Sequence, residues 1–166
     1  MRKVMMIVCA TLIVIGWLAI GGQASSKGAD EAAIRALTDR QTKAVTAGDL
    51  DGLMACYVPD ESLFVFDLIP PRQYVGAKAY RENWKGFLSN HVKADFTDLN
   101  VTVSGNVAYS HWIDHFVGTM GGKPFEITGR VTDVYRKIKG KWLIVMEHIS
   151  VPVAPETGKA DLMSKP

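Results

Sequence analysis

Apolar and polar residues alternate along two arms near the end of the chain, residues 125–138 and 142–151, which a Lys-Gly-Lys turn joins. This alternation, rich in Val, Ile and Tyr, predicts a β-hairpin, because successive side chains of a strand point to opposite faces. The first arm has one apolar face that carries a single carboxylate, Asp133, and the second arm is interrupted by Glu147 and His148. Such ionisable groups either pair with arginines at the sheet edge or form the polar floor of a pocket.

Helical spacing predicts three helices ahead of that hairpin. In residues 30–47 one face is apolar except for a single amide, Gln41. Gly48 and Asp49 are typical of a helix end and a helix N-cap, so a second, short helix is expected to follow. A third helix is predicted after Gly76, because aromatic and aliphatic residues recur there at helical intervals.

Short turns and strands account for the rest of the domain. Residues 62–67 form one strand, and glycine-containing turns divide residues 92–152 into an antiparallel meander. The alternation slips between Phe96 and Leu99, which predicts a β-bulge. The predicted fold class is α+β, with a cone-shaped, strongly bent antiparallel sheet wrapped around three N-terminal helices. A small ligand is expected to bind in the mouth between helices and sheet.

The chain divides into four segments. Residues 1–24 combine a basic start, an apolar run and a small-residue ending, which predicts a secretory signal peptide and an exported, periplasmic or secreted protein. Residues 25–29 are a polar leader and residues 30–152 form the domain. Residues 153–166 are expected to be a loose tail.

Charge and motifs narrow the possible partners. Without Arg2 and Lys3 of the signal, the 19 basic residues fall to 17, which equals the number of acidic residues. A neutral mature chain gives no reason to expect a nucleic-acid partner, or a membrane partner after signal cleavage. The sequence contains no cofactor motif, nucleophile elbow or metal-spaced Cys/His cluster, so no cofactor and no metal is expected.

Two stretches carry a family resemblance: FVFDLIPPRQYVGAKAYRENW at residues 64–84 and RVTDVYRKIKGKWLIVMEHISVP at residues 130–152. Together with the Ala-Gly-Asp-Leu-Asp segment between the first two helices, they resemble the SnoaL-like, ketosteroid-isomerase-like proteins of the nuclear transport factor 2-like superfamily. The resemblance extends over residues 30–152 and implies the cone fold. That fold hosts enzymes, binding proteins and assembly domains, so the fold alone does not fix the function.

The resemblance to the steroid isomerase implies three catalytic positions. Asp67 matches the general base after a shift of about two residues, Asp133 matches a carboxylic acid that stays protonated, and Gln41 stands where the isomerase has a tyrosine. The residues expected to bind ligand are Tyr57, Trp84, Trp112, Asp114, Phe116, Tyr135 and Glu147. The inward phase of residues 111–116 stays open, because two histidines and Ile113 alternate with Trp112, Asp114 and Phe116.

Three interpretations of this site remain. The pocket either catalyses proton transfer of an isomerase or cyclase type on a small, largely apolar molecule, or it binds such a ligand or serves assembly without catalysis. In the third, Asp133 forms an ion pair with Arg136 or Lys137 and the interior is simply filled. The first two place an acidic, aromatic-lined pocket at the mouth of the cone and favour neutral or cationic ligands.

A homodimer is also predicted. The second hairpin arm carries an apolar stripe that is expected on the sheet face away from the pocket, formed by Trp142, Ile144 and Met146. A large apolar patch is rarely left exposed to water, and the family resemblance implies a dimer as well.

Overall fold

The computed structural model describes residues 27–163, and the predicted signal peptide, residues 1–24, lies outside the described residues. Helix α1 covers residues 27–47, helix α2 covers Leu50–Met54 and helix α3 covers Ala77–Leu88. The predicted polar leader is therefore helical from residue 27 onward. No helix in the described part of the chain combines the length and apolar character needed to cross a bilayer.

The sequence signals at the helix boundaries are confirmed. Gly48 ends α1 with a φ of 68°, in the left-handed region that glycine adopts without strain. Asp49 caps α2, because its Oδ1 accepts a hydrogen bond of 2.9 Å from the backbone nitrogen of Gly52. The inward face of α1 is fully buried, and Gln41 lies in the middle of it with 2% of its surface exposed.

Eight strands lie within residues 27–163. They are β1 Phe64–Phe66, β2 Tyr74–Val75, β3 Lys93–Ser104, β4 Val107–Met120, β5 Lys123–Ile138, β6 Lys141–Ser150, β7 Val153–Ala154 and β8 Lys159–Ala160. The first six form one sheet in the order β2-β1-β6-β5-β4-β3. The sheet is mixed, because β1 pairs parallel to β6, whereas the sequence predicted an antiparallel sheet throughout. The predicted bulge in β3 lies between Thr97 and Asn100.

A second bulge, in β6, overturns the predicted dimer stripe. Tyr135 of β5 faces Ile144 and Val134 faces Met146, so Val145 is an extra residue on β6. An extra residue reverses the alternation, and the buried positions change from even to odd numbers at that point. Trp142 and Ile144 are consequently 5% and 0% exposed in the interior of the single chain, and no apolar stripe on the outer face links them to Met146. The homodimer stays a prediction without that support.

The C-terminal segment is more ordered than predicted. Strands β7 and β8 pair as a short antiparallel hairpin, and Gly158 closes the turn with a φ of 65°. The backbone nitrogen of Thr128 donates a hydrogen bond of 2.8 Å to the carbonyl oxygen of Leu162. This contact fixes the segment to the edge of β5, so the expectation of a loose tail was wrong for residues 153–162.

Candidate functional site

Two adjacent chambers lie between the helices and the concave face of the sheet. The outer chamber opens to solvent and has a cavity volume of about 80 Å³, and the inner chamber extends it by about 10 Å³, which is room for about one water molecule. They share four lining residues, Trp84, Asp114, Phe116 and Ile149. The even-numbered side chains of residues 108–116 are the buried ones, which settles the phase that the sequence left open.

The predicted site residues separate into four groups by position. Asp67 lines the outer chamber, and Trp84, Asp114 and Phe116 line both chambers. The residues that line only the inner chamber are Gln41, Tyr57, Trp112 and Glu147. Asp133, predicted as catalytic, and Tyr135, predicted to bind ligand, line neither chamber and lie behind the inner one, so neither would touch a ligand bound in these chambers.

Asp67 stands at the end of β1 with its carboxylate fixed in place. Its Oδ1 accepts a hydrogen bond of 2.7 Å from the backbone nitrogen of Leu68, and its Oδ2 accepts one of 2.8 Å from Asn83 Nδ2. Tyr74 donates to Asn83 Oδ1 at 2.9 Å and so orients the amide. Burial raises the pKa of Asp67 above its ordinary value, although these donors lower it in part.

Asp114, on β4, is a buried carboxylate without a counter-ion. It is 1% exposed, and neither of its oxygens forms a hydrogen bond of regular geometry within the described chain. Its closest neighbour is Gly129 on β5, where an added Cβ atom would lie 2.4 Å from Oδ1. Burial raises the pKa of Asp114 to about 6, and the nearby Gly129 amide moderates the rise.

Glu147, like Asp114, has a buried carboxyl group, and it lines the inner chamber. Tyr57 donates to its Oε2 at 2.9 Å and Tyr80 donates to its Oε1 in a short hydrogen bond. Gln41 Nε2 donates in turn to the Tyr57 hydroxyl at 3.1 Å. Burial, and then the negative charge of Asp133, raise the pKa of Glu147 well above its ordinary value.

Asp133 completes this polar network from behind. Its Oδ2 accepts hydrogen bonds from Trp112 Nε1 at 2.9 Å and from the Tyr135 hydroxyl at 3.0 Å, and Ser110 contacts that hydroxyl at 2.9 Å. Glu147 is its cross-strand partner. Burial raises the pKa of Asp133 to about 6, while Trp112, Tyr135 and Glu147 lower it by hydrogen bonding. Two adjacent buried carboxyls of this kind share a proton, because both cannot ionise at low cost.

The predicted ion pair of Asp133 with a neighbouring cation does not form. Lys137 binds Asp30 instead, at 2.6 Å from Nζ to Oδ1, and Trp142 Nε1 donates to the same oxygen at 3.0 Å. Arg136 lies on the opposite, exposed face of β5. No Lys, Arg or His among the described residues lines either chamber. The described residues also contain no group of His, Cys, Asp and Glu placed to hold a metal ion.

Comparison with known proteins places this site in a family. A profile of the SnoaL-like domain matches residues 34–154, which is most of the chain. The chain belongs to the SnoaL-like family. A nuclear transport factor 2-like protein of unknown function from Pseudomonas putida is similar to this SnoaL-like protein, with 30% identity and a TM-score of 0.73 over 84% of this chain and 98% of its own. No curated protein matches the chain.

Two further solved structures show how widely this fold is used. A candidate calcium/calmodulin-dependent protein kinase II association domain from Xanthomonas campestris is 25% identical, with a TM-score of 0.63 over 75% of this chain and 87% of its own. A candidate dehydratase of the nuclear transport factor 2-like family from Streptomyces avermitilis is 15% identical, with a TM-score of 0.67 over 77% of this chain and 99% of its own. The likeness to the second of these shows the fold alone.

Sequence reasoning missed two polar residues of the SnoaL-like site, both on α3. Tyr80 is one of the residues that recur at helical intervals after Gly76, yet its hydroxyl donates to Glu147. Asn83 precedes Trp84 and carried no pattern signal, although it orients Asp67. The available signal was the pairing of a buried tyrosine with a carboxylate that had no other partner, since a buried phenol hydroxyl usually finds an acceptor.

Proposed function

We propose that this SnoaL-like protein binds a small, neutral and largely apolar molecule in the two chambers and catalyses a cofactor-independent proton transfer on it. The observation that carries the proposal is that two carboxyl groups, Asp67 and Asp114, face one cavity whose other lining residues, apart from Asn83, are aromatic and aliphatic. Burial in such surroundings raises the pKa of a carboxyl group towards neutrality, where general acid–base catalysis is most effective.

The two carboxyl groups have different environments and therefore different roles. Asp67 is held by a backbone N–H and by Asn83, which is suited to a carboxylate that accepts a proton. Asp114 has no hydrogen-bond donor of regular geometry and no cation beside it, which favours its neutral form and a proton-donating role. Two acidic groups whose environments differ in this way are assigned as base and acid by the hydrogen bonds that each one receives.

The reaction that fits this arrangement is enolisation of a carbonyl compound. Asp67 removes a proton from the carbon beside the carbonyl group, the C–H electron pair forms a C=C bond, and the carbonyl π electrons move to oxygen. Neutral Asp114 donates its proton to that oxygen and gives the enol. In a substrate with a C=C bond next to that carbon the enol is a dienol. Asp67 then returns the proton to the far end of the dienol, the C=C bonds shift, the hydroxyl proton goes back to Asp114, and an isomer forms with no net gain or loss of atoms.

Chemistry at Asp67 is testable by deuterium uptake. We would incubate the protein with 2-tetralone, an apolar bicyclic ketone, in D₂O and follow loss of the C–H signal beside the carbonyl by proton NMR. Asp67→Asn removes the base and is expected to lower the protein-dependent rate by about 10²–10⁴-fold. Asp95→Asn is the matched control, because Asp95 is exposed on β3 and lines neither chamber.

The alternative function is ligand binding without catalysis. The chambers by themselves support it, since they are concave and mostly apolar with few polar groups, as binding sites usually are. Binding of 2-tetralone with no exchange above the buffer rate, or equal exchange in Asp67→Asn and wild type, would refute the enzymatic proposal and leave the binding one.

We also propose that the domain acts outside the cytoplasm. Arg2 and Lys3 precede an apolar run, and small residues end it at Ala24, which is the pattern of a secretory signal. A reaction carried out by the chain's own carboxyl groups is compatible with that location.

A further inference from the structure

Polar atoms without partners mark the place where the two chambers meet. Trp84 Nε1 is buried and has no hydrogen-bond acceptor within the described chain, and both oxygens of Asp114 lack a regular donor. Trp84 and Asp114 are 6% and 1% exposed, and both residues line both chambers. A buried N–H without an acceptor costs about 1–3 kcal/mol, so unpaired groups beside a cavity are a feature that needs a function.

We propose that Trp84 and Asp114 together recognise a hydroxyl or enol oxygen on a planar, apolar ring. A hydroxyl group is the smallest group that accepts one hydrogen bond and donates another. Its oxygen would accept from the Trp84 indole N–H, and its proton would be donated to Asp114, which is ionised once it has given its own proton to the substrate oxygen. This inference rests on the proposed function, because it assigns the substrate class and a specificity-determining residue to the same chambers.

The aromatic walls indicate the planar ring. The centroid of Phe116 lies 6.4 Å from that of Trp84 and 5.3 Å from that of Phe87, and both pairs are edge-to-face. Aromatic rings in this arrangement offer both faces and edges to a flat ligand, which gains from the same quadrupole geometry.

The acidic lining of the outer chamber excludes anionic ligands. Asp67 and Asp114 both approach the outer chamber, and no cation of the described chain lines it. An anionic ligand would be repelled by both carboxylates and would find no partner for its own charge. Gln41 Oε1 is a further buried acceptor without a donor, in the inner chamber, so acceptors predominate and the ligand must supply donors.

A ligand series on the wild-type protein tests this inference directly. We would measure Kd by equilibrium dialysis at pH 8 for 2-naphthol, 2-methoxynaphthalene and naphthalene, which share one ring system. At that pH Asp114 is mostly ionised, since its pKa is about 6. We expect 2-naphthol to bind at least about tenfold more tightly than naphthalene, because a site that hydrogen-bonds a hydroxyl rejects the analogue that lacks it. The methoxy compound accepts from Trp84 but cannot donate, so it should lie between the two.

A variant pair assigns the effect to the indole N–H. Trp84→Phe keeps an aromatic ring but removes the donor, and it is expected to weaken 2-naphthol about tenfold while changing naphthalene by less than about twofold. Trp142→Phe is the matched control, because its indole N–H is also buried and donates to Asp30, away from the chambers. It should leave both affinities unchanged.

Each outcome decides between the proposals. Equal binding of 2-naphthol and naphthalene by wild type, or an equal loss of both in Trp84→Phe, would overturn the hydroxyl-recognition proposal even if deuterium exchange of 2-tetralone persists. A clear preference for 2-naphthol that depends on Trp84, with no exchange dependent on Asp67, would uphold recognition and refute the proposed catalysis. Should Trp84→Phe fail to fold, the wild-type ligand series alone still decides.

Discussion

Replacing Asp133 with asparagine tests whether the carboxyl behind the site is neutral. The two side chains have nearly the same shape, and the amide oxygen of the introduced asparagine could accept from Trp112 Nε1 and Tyr135 as Asp133 Oδ2 does at 2.9 and 3.0 Å. The amide nitrogen would face the side of Asp133 Oδ1, which has no donor in the described chain and lies near Glu147. We therefore expect Asp133→Asn to preserve the fold.

The expected change in the free energy of unfolding follows from the raised pKa of Asp133. Burial raises the pKa of Asp133 from its ordinary value of 3.8 to about 6. At about 1.4 kcal/mol for each tenfold change in the ionisation constant, this difference amounts to about 3 kcal/mol of the free energy of unfolding. A raised native pKa means that the protonated carboxyl contributes its full stability below pH 3.8, and that this contribution is lost as the pH rises through about 6. Asparagine cannot ionise, so the variant should lose less stability than wild type over that interval.

Urea unfolding between about pH 4 and about pH 8, an interval that brackets the native pKa, would measure this difference. Wild type should lose stability across the interval while Asp133→Asn stays flatter, so the variant should match or exceed wild type at the alkaline end. Asp30→Asn is a control for which the stability should depend on pH in the opposite direction. Lys137 lowers the pKa of Asp30, so that carboxylate contributes stability at neutral pH and loses it on acidification.

One result of the urea unfolding experiment would refute the raised pKa of Asp133. If Asp133→Asn lost about 3–5 kcal/mol at neutral pH and the loss vanished in acid, Asp133 would be an ionised partner in a buried pair. The neutral proton-sharing arrangement with Glu147 would then be wrong.

Two further predictions concern the position of Asp114 and the site of action. Gly129→Ala would place a Cβ atom 2.4 Å from Asp114 Oδ1, so it should displace that carboxyl and lower the free energy of unfolding in urea by about 1–3 kcal/mol. It should also slow deuterium exchange of 2-tetralone more than the control Asp95→Asn does, and unchanged exchange would contradict the role of Asp114. If the signal is cleaved, N-terminal sequencing of protein from its native host should begin near Ser25, whereas a soluble cytosolic chain that begins at Met1 would contradict export.

The sequence predicts most of the fold because hydrophobic periodicity is local. The buried stripe of α1, the cap at Asp49 and the glycine turns are each determined by a few neighbouring residues. The bulge in β6 is different, because no glycine or turn residue marks Val145 as the extra position. One unmarked residue reversed the assigned face of Trp142 and Ile144, so a correct pattern led to a wrong outer surface.

The sequence predicts which residue types line the candidate site, but it does not predict which of them form hydrogen bonds with each other. An inward carboxylate such as Glu147 is visible in a strand pattern, because a charge among apolar neighbours breaks the alternation, whereas the pattern left the face of Asp114 open. Which donor reaches it depends on how helices lie across the sheet, and this is how Tyr80 and Asn83 escaped notice. Spacing along the chain carries no information about contacts between α3 and β6.

The coupling between the carboxyl groups gives the proposed reaction its order. The negative charge of Asp67 contributes to the raised pKa of Asp114. When Asp67 accepts a proton from the substrate, that charge disappears, and Asp114 becomes a stronger acid as negative charge develops on the substrate oxygen. Asp67→Asn also lacks the charge, so the pKa of Asp114 in that variant should lie below its wild-type value of about 6. Carboxyl-carbon NMR titration would measure it, and an unchanged pKa would mean that the two groups act independently.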